Sequence, residues 1–274
     1  MYTVVGGSGF IGKEMVNLLT QQGFDCWVPQ KNDESIYTRE LGTVIYAAGF
    51  GDCKNDPFNV FEANSLLLKN ILEKSKFETM IYISSTRVYM NSDDSSVDSN
   101  VIIGNEDSRR LFNLTKLVAE ELCLLSDRNC IIVRPSNVYG LALNSPLFLP
   151  SIIKDAINKG MVNMYVEPSY SKDYISVDDV VRSILNISLL RENNHKVINI
   201  ASGYNVTAKT ISDILVKETS CKVVWHKEKI TSENFPITDV SCTKKIIEFN
   251  PRSIVEDLVS MINEYKSHST NKAY

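Results

Sequence analysis

Gly6-Gly7-Ser8-Gly9-Phe10-Ile11-Gly12 follows a short apolar run, Met1 to Val5, at the start of the chain. The apolar residues behind this stretch recur at helical spacing, at Ile11, Met15, Leu18 and Leu19. The order is therefore strand, glycine turn and helix. In a dinucleotide-binding turn, one glycine permits the tight bend, one lets the backbone approach a pyrophosphate, and one lets the helix pack against the strand. The stretch predicts such a site at a helix N-terminus, and a purely structural turn is the alternative.

The composition is that of an ordinary globular protein. The 274 residues, 43% hydrophobic and 23% charged, suffice for one large α/β unit or a large domain with a small one. A formal net charge of −4 argues against nucleic acid as a partner, since such proteins normally carry a basic excess. No apolar run reaches membrane-spanning length, so we expect no membrane partner. The glycine turn begins at residue 6, which leaves no room ahead of it for a signal peptide.

Cysteines and histidines show no metal-binding pattern. The six cysteines have no C-x-x-C spacing, and most lie in apolar runs. We expect reduced thiols in a cytoplasmic protein. The three histidines are scattered in polar contexts, so no metal site is predicted.

The strand predicted at Gly23 to Val28 bears on the choice of cofactor. In sites that prefer NAD, an acidic residue usually ends this strand and hydrogen-bonds the ribose. Gln30 holds that place here, and Lys31 follows it. An ammonium group suits a 2′-phosphate better than a bare diol, which slightly favours NADP(H). The alternative is a solvated lysine in a turn.

Later strands also end in residues suited to a ligand. The third predicted strand ends in small residues, Ala47, Ala48 and Gly49, which let a ligand lie against the backbone. The fourth, Met80 to Ile83, leads into Ser84-Ser85-Thr86, at the edge where ligands gather in open parallel sheets. The polar stretch from Asn91 to Ser108 predicts a loop that could cover this edge.

A helix is predicted from about Arg109 to Ser126. Phe112 and Lys116 are four residues apart and share one face of it. Another face carries an apolar stripe that we expect to point inward, formed by Leu111, Leu114, Val118, Leu122 and Leu125.

A fifth strand is predicted at Cys130 to Val133, and it continues to Gly140. After that point the alternation of apolar and polar residues becomes irregular. The chain is expected to return to the main domain at Tyr174. We therefore expect residues 1–140 and 174–202 to form a dinucleotide-binding domain, and residues 141–173 and 203–274 to form a smaller substrate-binding region.

Six segments together resemble the extended short-chain dehydrogenase/reductase superfamily, and within it the NAD-dependent nucleotide-sugar epimerase/dehydratase group. They follow the family's order and are Gly6–Gly12, Val44–Ala48, Glu62–Asn64, Ile83–Tyr89, Arg134–Gly140 and Lys172–Asp179. The resemblance implies an α/β fold, with a Rossmann-type doubly wound parallel sheet that binds NAD(P) and a smaller C-terminal region that binds a nucleotide sugar. It also implies a homodimer formed through the helices at 57–75 and 109–126.

The resemblance further implies the residues of the site. The expected cofactor contacts are Gly6, Gly9, Phe10, Ile11, Gly12, Gln30, Lys31, Ala47, Ala48, Gly49, Lys116 and Pro135. The expected substrate contacts are Ser85, Thr86, Asn137 and Lys172. Lys172 stands where the family usually has an arginine that reaches the diphosphate, and lysine keeps the charge but loses the bidentate fork. Arg109 and Arg110 could also meet phosphates, although an exposed helix start is the explanation that we favour.

The family's catalytic set is Ser or Thr, Tyr and Lys. Ser85 matches the hydroxyl that hydrogen-bonds the reacting sugar oxygen. Lys116 matches the lysine that holds the nicotinamide ribose and lowers the pKa of the tyrosine by its charge. The tyrosine belongs four residues before this lysine, where the chain has Phe112. A phenyl ring cannot exchange the proton that accompanies hydride transfer, and losing a positioned acid/base costs about 10²- to 10⁴-fold in rate.

Phe112 leaves three interpretations open. The chain is an engineered Tyr→Phe variant, a natural enzyme that uses another acid/base such as Tyr89 or a residue of the 91–108 loop, or a natural binding protein. The leading hypothesis is an NAD(P)-dependent epimerase or 4-ketoreductase that exchanges hydride at sugar C4, in surface polysaccharide precursor synthesis. A dehydratase is disfavoured because Thr86-Arg87 lacks that group's acidic pair. The alternative is a catalytically silent NAD(P)-binding sensor or scaffold.

Overall fold

A computed structural model of the protein describes residues 1–142, 147–226 and 233–270, with the backbone alone at 269 and 270. The strands are β1 Tyr2–Val5, β2 Cys26–Trp27, β3 Thr43–Tyr46, β4 Thr79–Ile83, β5 Cys130–Pro135, β6 Asn137–Tyr139, β7 Met161–Met164, β8 Ser171–Ser176, β9 Val197–Ile200, β10 Asn205–Thr207 and β11 Lys222–Trp225. The helices are α1 Phe10–Gln21, α2 Pro57–Phe61, α3 Leu67–Lys74, α4 Arg110–Leu125, α5 Phe148–Lys159, α6 Val177–Ser188, α7 Ala208–Thr219, α8 Ser241–Ile246 and α9 Ile254–Thr270. A π-helical turn at Glu62–Leu66 joins α2 to α3.

Six parallel strands form the central sheet in the order β2-β1-β3-β4-β5-β9. The chain runs outward from β1 to β2 and then crosses back to β3 on the other side. A crevice opens where the strand order reverses in this way, and ligands of open α/β sheets bind there. The predicted Rossmann-type parallel sheet is confirmed.

Both faces of the central sheet are buried, which explains why its strands are continuous apolar runs and not alternating ones. Val4, Ile45 and Ile81 pack on one face in a cluster with residues of α1 and α6. Val44, Tyr46 and Ile132 pack on the other in a cluster with residues of α3 and α4. Helices on both faces leave the carboxyl ends of the strands as the open edge of the sheet.

Two smaller sheets, β10-β8-β6 and β11-β7, lie outside the central one. A third apolar cluster belongs to this part of the chain and includes Ile153, Val162, Leu215, Leu258 and Ile262. The sequence did not predict β6, β7, β10, α5 or α8. The three strands and α8 are short, and α5 has Pro150 near its start, in a stretch where prolines obscured the pattern. The boundaries given above for two domains stay a prediction, and parts of the second region fall on residues 143–146, 227–232 and 271–274, outside the described residues.

The predicted inward stripe of α4 is wrong at three of its five positions. Leu114, Val118 and Leu125 are 38%, 48% and 80% exposed. The buried face carries Asn113, Thr115, Lys116, Ala119, Glu120 and Cys123 instead. Polar residues can be buried there because the site and a hydrogen-bonded network give them partners. The second strand is also shorter than predicted.

The cysteines agree with their prediction, since all six are free thiols. Across residues 1–142, 147–226 and 233–270, no helix is long and apolar enough to cross a bilayer. The same part of the chain contains no cluster of three or more His, Cys, Asp or Glu residues placed to hold a metal ion.

Candidate active site

The glycine turn joins β1 to α1 in a tightly packed form. Gly6 has φ of +84°, and a Cβ there would lie 2.5 Å from the backbone nitrogen of Ala48. A Cβ on Gly12 would lie 2.2 Å from the carbonyl oxygen of Gly6. Only glycine fits at both positions. Phe10, Ile11 and Gly12 form the first turn of α1, where backbone N–H groups have no partner within the helix. The turn suits the phosphates of a dinucleotide.

Ala47, Ala48 and Gly49 continue β3 into the same edge, and the π-helical turn holds them there. Asn64, which is fully buried, accepts from the backbone N–H of Phe50 at 3.1 Å. Its amide donates to the carbonyl oxygen of Phe50 at 3.0 Å and to the hydroxyl of Thr115 at 3.0 Å. Short π-helical turns are frequent at functional sites. This one ties the backbone after β3 to α4.

Ser85, Lys116 and Phe112 lie around the end of β4. Ser85 is half-buried and lies two residues after Ile83, the last residue of β4. Lys116 Nζ donates to the carbonyl oxygen of Ile83 at 2.8 Å. Lys116 Nζ is 5.8 Å from the centre of the Phe112 ring. A Cβ on Gly49 would lie 3.4 Å from the same nitrogen. Lys116 therefore stands between the cofactor side and the acid/base position of the site.

The surroundings of Lys116 determine its charge. Burial lowers the pKa of Lys116 to about 8, although the negative charge of Glu120 acts in the opposite direction. The ammonium therefore remains protonated at neutral pH and can act on a neighbouring ribose or hydroxyl.

A buried network behind the site occupies Tyr89, one of the alternative acid/base groups. The Tyr89 hydroxyl donates to Asn199 Oδ1 at 2.9 Å and accepts from Arg134 Nη1 at 2.6 Å. Arg134 in turn pairs with Glu120, which also accepts a hydrogen bond from Ser84. Burial raises the pKa of Tyr89, even though Arg134 favours its ionised form. Both hydrogen-bonding roles of this hydroxyl are filled, which argues against a role in proton transfer.

Asp107 is the one carboxylate of the 91–108 loop that contacts the site residues in the described part of the chain. It accepts from Arg87 Nη2 at 2.7 Å, from the backbone N–H of Arg109 at 2.9 Å and from Asn113 Nδ2 at 2.8 Å. These three donors engage the carboxylate, so it serves to position Arg87 and the start of α4.

Lys172 lies in an ion-pair cluster centred on Glu233. Glu233 Oε1 is 2.9 Å from Arg87 Nη2, and Glu233 Oε2 is 3.7 Å from Lys172 Nζ. Tyr170 donates to Glu233 Oε2 at 2.6 Å. Burial raises the pKa of Glu233, but hydrogen bonds from Arg87 and Tyr170 outweigh it and lower the pKa to about 2.

The pKa of Lys172 is also lowered in this cluster, which for a lysine disfavours the charged form. Burial lowers the pKa of Lys172 to about 8, Glu233 opposes that effect, and the charges of Arg87 and Arg109 add to it. Three cations, Arg87, Arg109 and Lys172, therefore lie near two carboxylates, Glu233 and Asp107, and this excess of positive charge suits an anionic ligand.

The remaining predicted substrate contacts, Thr86 and Asn137, line one small cavity together with Asp173, Asn205 and Phe235. Asn137 Nδ2 donates to the carbonyl oxygen of Asp173 at 2.8 Å, so the amide is already bonded within the protein. Pro135 ends β5 beside them.

Gln30 and Lys31 are exposed at the surface after β2. They belong to a turn in which the backbone N–H of Asp33 donates to the carbonyl oxygen of Gln30 at 3.1 Å, and Asn32 has φ of +64°. In the described part of the chain, neither side chain contacts the residues at the end of β4, as expected for positions assigned to the far ribose of a dinucleotide.

Sequence reasoning missed several residues of the site. Arg87 lies inside the quoted Ile83–Tyr89 segment, and its charge at a buried position was an available signal. Glu233 carried no signal, because 146 positions separate it from Arg87 and only folding brings them together. Asn64 was part of a family segment, but its role in holding Phe50 depends on the π-helical turn.

Comparison with known proteins identifies this arrangement. The model of the NAD dependent epimerase/dehydratase family matches residues 2–201. The chain belongs to this family. The predicted resemblance is therefore confirmed, and the glycine turn, the β4 edge and α4 all lie inside the matched residues.

Relatives in this family include nucleotide-sugar enzymes. A Methanocaldococcus jannaschii protein provisionally named UDP-glucose 4-epimerase is 26% identical over 80% of this chain and 82% of its own. The GDP-6-deoxy-D-talose 4-dehydrogenase of Aggregatibacter actinomycetemcomitans is 23% identical over 83% and 81%.

Solved structures share the fold over nearly the whole chain. MoeE5 in complex with UDP-glucuronic acid and NAD is 20% identical, with a TM-score of 0.84 over 98% of this chain and 99% of that one. A tyrosine-to-phenylalanine mutant of the Bacillus cereus UDP-glucuronic acid 4-epimerase, in complex with a fluorinated substrate and NAD, is 18% identical, with a TM-score of 0.83 over 97% and 99%.

Proposed function

We propose that the protein binds NAD(P) and a nucleotide sugar in the manner of a C4 epimerase or 4-ketoreductase, with the acid/base position vacant at Phe112. The observation that carries the proposal is the placement of Lys116 between the Phe112 ring and the backbone at Gly49. Lys116 is buried and forms no ion pair within the described residues, so its ammonium is suited to a ribose. A role in surface polysaccharide precursor synthesis fits this chemistry.

The cofactor contacts proposed for this chain follow from the local backbone. The glycine turn and the first turn of α1 hold the pyrophosphate, and Ala47 to Gly49 give a flat surface for the nucleotide. Lys116 and Pro135 lie on the nicotinamide side. When bound, NAD(P) supplies the hydride acceptor and donor of the reaction.

Gln30 and Lys31 set the preference for the 2′-phosphate. The relatives whose structures contain a cofactor hold NAD, but this chain has no acidic residue at this place. We expect Lys31→Ala to weaken NADP binding about two- to fivefold, the range of an exposed ion pair, and to leave NAD binding unchanged. Fluorescence titration with both cofactors measures the difference, and equal effects on the two would contradict the role of Lys31.

The proposed substrate contacts are Ser85, Thr86, Asn137 and Lys172. Ser85 polarises the reacting sugar oxygen by a hydrogen bond, and Lys172 contributes positive charge toward the diphosphate. UDP-sugars are the natural first candidates because the relatives act on or bind them. Without a hydroxyl at position 112, this chain has no group at the family's place to move the C4 proton.

A catalytically silent NAD(P)-binding sensor or scaffold is the second candidate. Two observations favour it: the phenyl ring at position 112, and the Tyr89 hydroxyl that is already bonded to Asn199 and Arg134. Restoring a hydroxyl at position 112 distinguishes the two functions, because only an enzyme retains everything else that turnover needs.

Calorimetry of the unmodified protein tests the shared core of both functions. We expect NAD or NADP to bind, and UDP-glucose to bind to the protein–cofactor complex. Lys116→Met should weaken the binding of the cofactor. A matched control, Lys69→Met, changes an exposed lysine on α3 whose one ion-pair partner among the described residues is Glu73, at 2.6 Å. Failure of the unmodified protein to bind either dinucleotide would overturn the proposal.

A further inference from the structure

Two guanidinium groups lie beside the position of the missing hydroxyl. Arg87 follows Ser85 by two residues, and its backbone N–H donates to the Ser85 hydroxyl at 3.1 Å. Arg109 Cζ lies 4.5 Å from the centre of the Phe112 ring. Burial and, after it, the charge of Arg87 lower the pKa of Arg109, which reflects two like charges near each other. Both cations therefore belong to the reacting end of the site.

The fixed contacts of this region do not balance its charge. Asp107 is held by the side chain of Arg87, the backbone of Arg109 and the amide of Asn113. Within the described residues, Asp107 therefore pairs with the guanidinium of Arg87, while Arg109 meets it only through the backbone N–H. Glu233 adds the second carboxylate through its contact with Arg87. Its side chain is 24% exposed, against 3% for Asp107, so Glu233 is the carboxylate of these two that a ligand can reach and displace.

Arg87 has hydrogen-bonding capacity that these contacts do not use. Its side chain is 8% exposed, and both of its ion pairs run through Nη2. Its Nε is buried with no hydrogen-bond partner in the described part of the chain. A buried N–H without a partner is unfavourable. A carboxylate that binds a guanidinium in the bidentate manner uses two nitrogens at once, which the present contacts do not.

We propose that Arg87 and Arg109 bind a carboxylate on the sugar of the substrate, so that the substrate class is a nucleoside-diphosphate uronic acid. The inference rests on the proposed function and names the substrate of the same site. Glu233 holds this carboxylate position in the free protein and leaves it when the substrate enters.

Charge compensation distinguishes a uronic acid from a neutral hexose. A neutral sugar that displaced Glu233 would leave the buried guanidinium of Arg87 and the more exposed one of Arg109 beside Asp107 alone, which is unfavourable for the buried charge. A uronic acid replaces one carboxylate by another. Lys172 remains with the diphosphate, which every nucleotide sugar carries, so its contribution does not depend on the sugar.

The experiment measures dissociation constants for UDP, UDP-glucose and UDP-glucuronic acid by calorimetry, with NAD present. We expect UDP-glucuronic acid to bind about tenfold more tightly than UDP-glucose, because one additional charge-assisted hydrogen bond contributes a factor of about this size. Arg87→Met abolishes this ratio and leaves UDP binding unchanged. Glu233→Gln raises the ratio, because the internal carboxylate no longer competes. Lys172→Met, as a matched control, weakens all three ligands by a similar factor.

The outcomes separate this inference from the proposed function. Equal affinities for UDP-glucose and UDP-glucuronic acid would overturn the uronic acid and leave the proposed function standing. A loss of UDP affinity in Arg87→Met as large as the loss for UDP-glucuronic acid would assign the cluster to the diphosphate and also overturn it. Absence of binding by UDP and both sugars would overturn both. Arg109→Met, which changes a side chain at the exposed start of α4, repeats the test should Arg87→Met fail to fold.

Discussion

At the scale of single residues, Phe112 is the departure from the family's catalytic set on which the proposed function depends. Two cations lie near its ring, with Arg109 Cζ at 4.5 Å and Lys116 Nζ at 5.8 Å from the ring centre. Cations near the face of an aromatic ring are attracted by its quadrupole, so the phenyl ring is held where it lies. The same cations would favour the ionised form of a tyrosine at this position.

Lys172 predicts a pH dependence of substrate binding. Its pKa of about 8 means that the ammonium is charged below pH 8 and neutral above it, while Glu233, with a pKa of about 2, stays ionised throughout. Arg87 and Arg109 keep their charge over the same range. We therefore expect UDP affinity to fall as the pH rises through about 8.

Calorimetry with UDP between pH 6.5 and 9.5, a range chosen to span about 1.5 units on each side of that pKa, measures this dependence. Lys172→Met serves as the control, since it removes the titrating group and should bind UDP weakly at every pH. An unmodified protein whose UDP affinity does not change across this range would contradict the assignment of Lys172 to the diphosphate.

Single residues also show the limit of sequence reasoning. Ser85 and Lys116 could be assigned because each stands at a fixed spacing within a local segment. The cluster of Arg87 and Glu233 could not, because a contact across 146 positions depends on how the second region folds against the first.

At the scale of elements, α4 carries the site on its buried face and an apolar stripe on its exposed face. The sequence led to the reverse expectation, because apolar residues at helical spacing normally face a core. The exception has a physical reason. Glu120 and Lys116 are buried with partners, namely Arg134, Ser84 and the carbonyl oxygen of Ile83. Hydrogen bonds compensate their burial and place Lys116 at the sheet edge.

This network predicts a large effect of Glu120→Ala on stability. The substitution leaves the guanidinium of Arg134 buried and unpaired, which costs about 3–5 kcal/mol. Glu121→Ala, at the exposed neighbouring position of the same helix, should change the free energy of unfolding by less than about 0.5 kcal/mol. Denaturant unfolding of both variants measures the difference. Equal losses would show that the network contributes no more than surface charges do.

At the scale of the whole molecule, the exposed stripe of α4 continues onto α2. Leu114, Val118 and Leu125 are exposed on α4, and Phe58 and Phe61 are 86% and 48% exposed on α2. A contiguous apolar patch on a protein surface often marks an interaction site. We propose that this surface, Phe58, Phe61, Leu114, Val118 and Leu125, pairs with its copy in a homodimer, as the family resemblance implies.

Light scattering after size-exclusion chromatography tests this dimer. We expect a dimer for the unmodified protein and a monomer for Val118→Glu, because the symmetric interface would bury two carboxylates against apolar surface. Leu189→Glu, at an exposed apolar residue at the end of α6, should remain dimeric. A monomeric unmodified protein, or a dimer that survives Val118→Glu, would contradict the assignment of this surface.

The fold as a whole was the most predictable part of the molecule. The central sheet was predicted from apolar runs that end in glycine or other small residues. Each run is a local signal that can be recognised without knowing which strands pair. The second region was not resolved into elements, because strands as short as β6 and β10 depend on pairing with β8 for their conformation. The sequence therefore predicted the cofactor edge better than the substrate side.

Turnover by Phe112→Tyr tests the central claim, that this chain holds a complete nucleotide-sugar site apart from one proton-transfer group. The measurement is the interconversion of C4 epimers of UDP-glucose and UDP-glucuronic acid with NAD, followed by NMR, for the unmodified protein, Phe112→Tyr, and Phe112→Tyr combined with Lys116→Met. We predict a rise in rate of about 10²-fold or more with the tyrosine, lost again with Lys116→Met. A Phe112→Tyr variant that binds NAD and the sugar but turns over neither substrate faster than the unmodified protein would contradict the account.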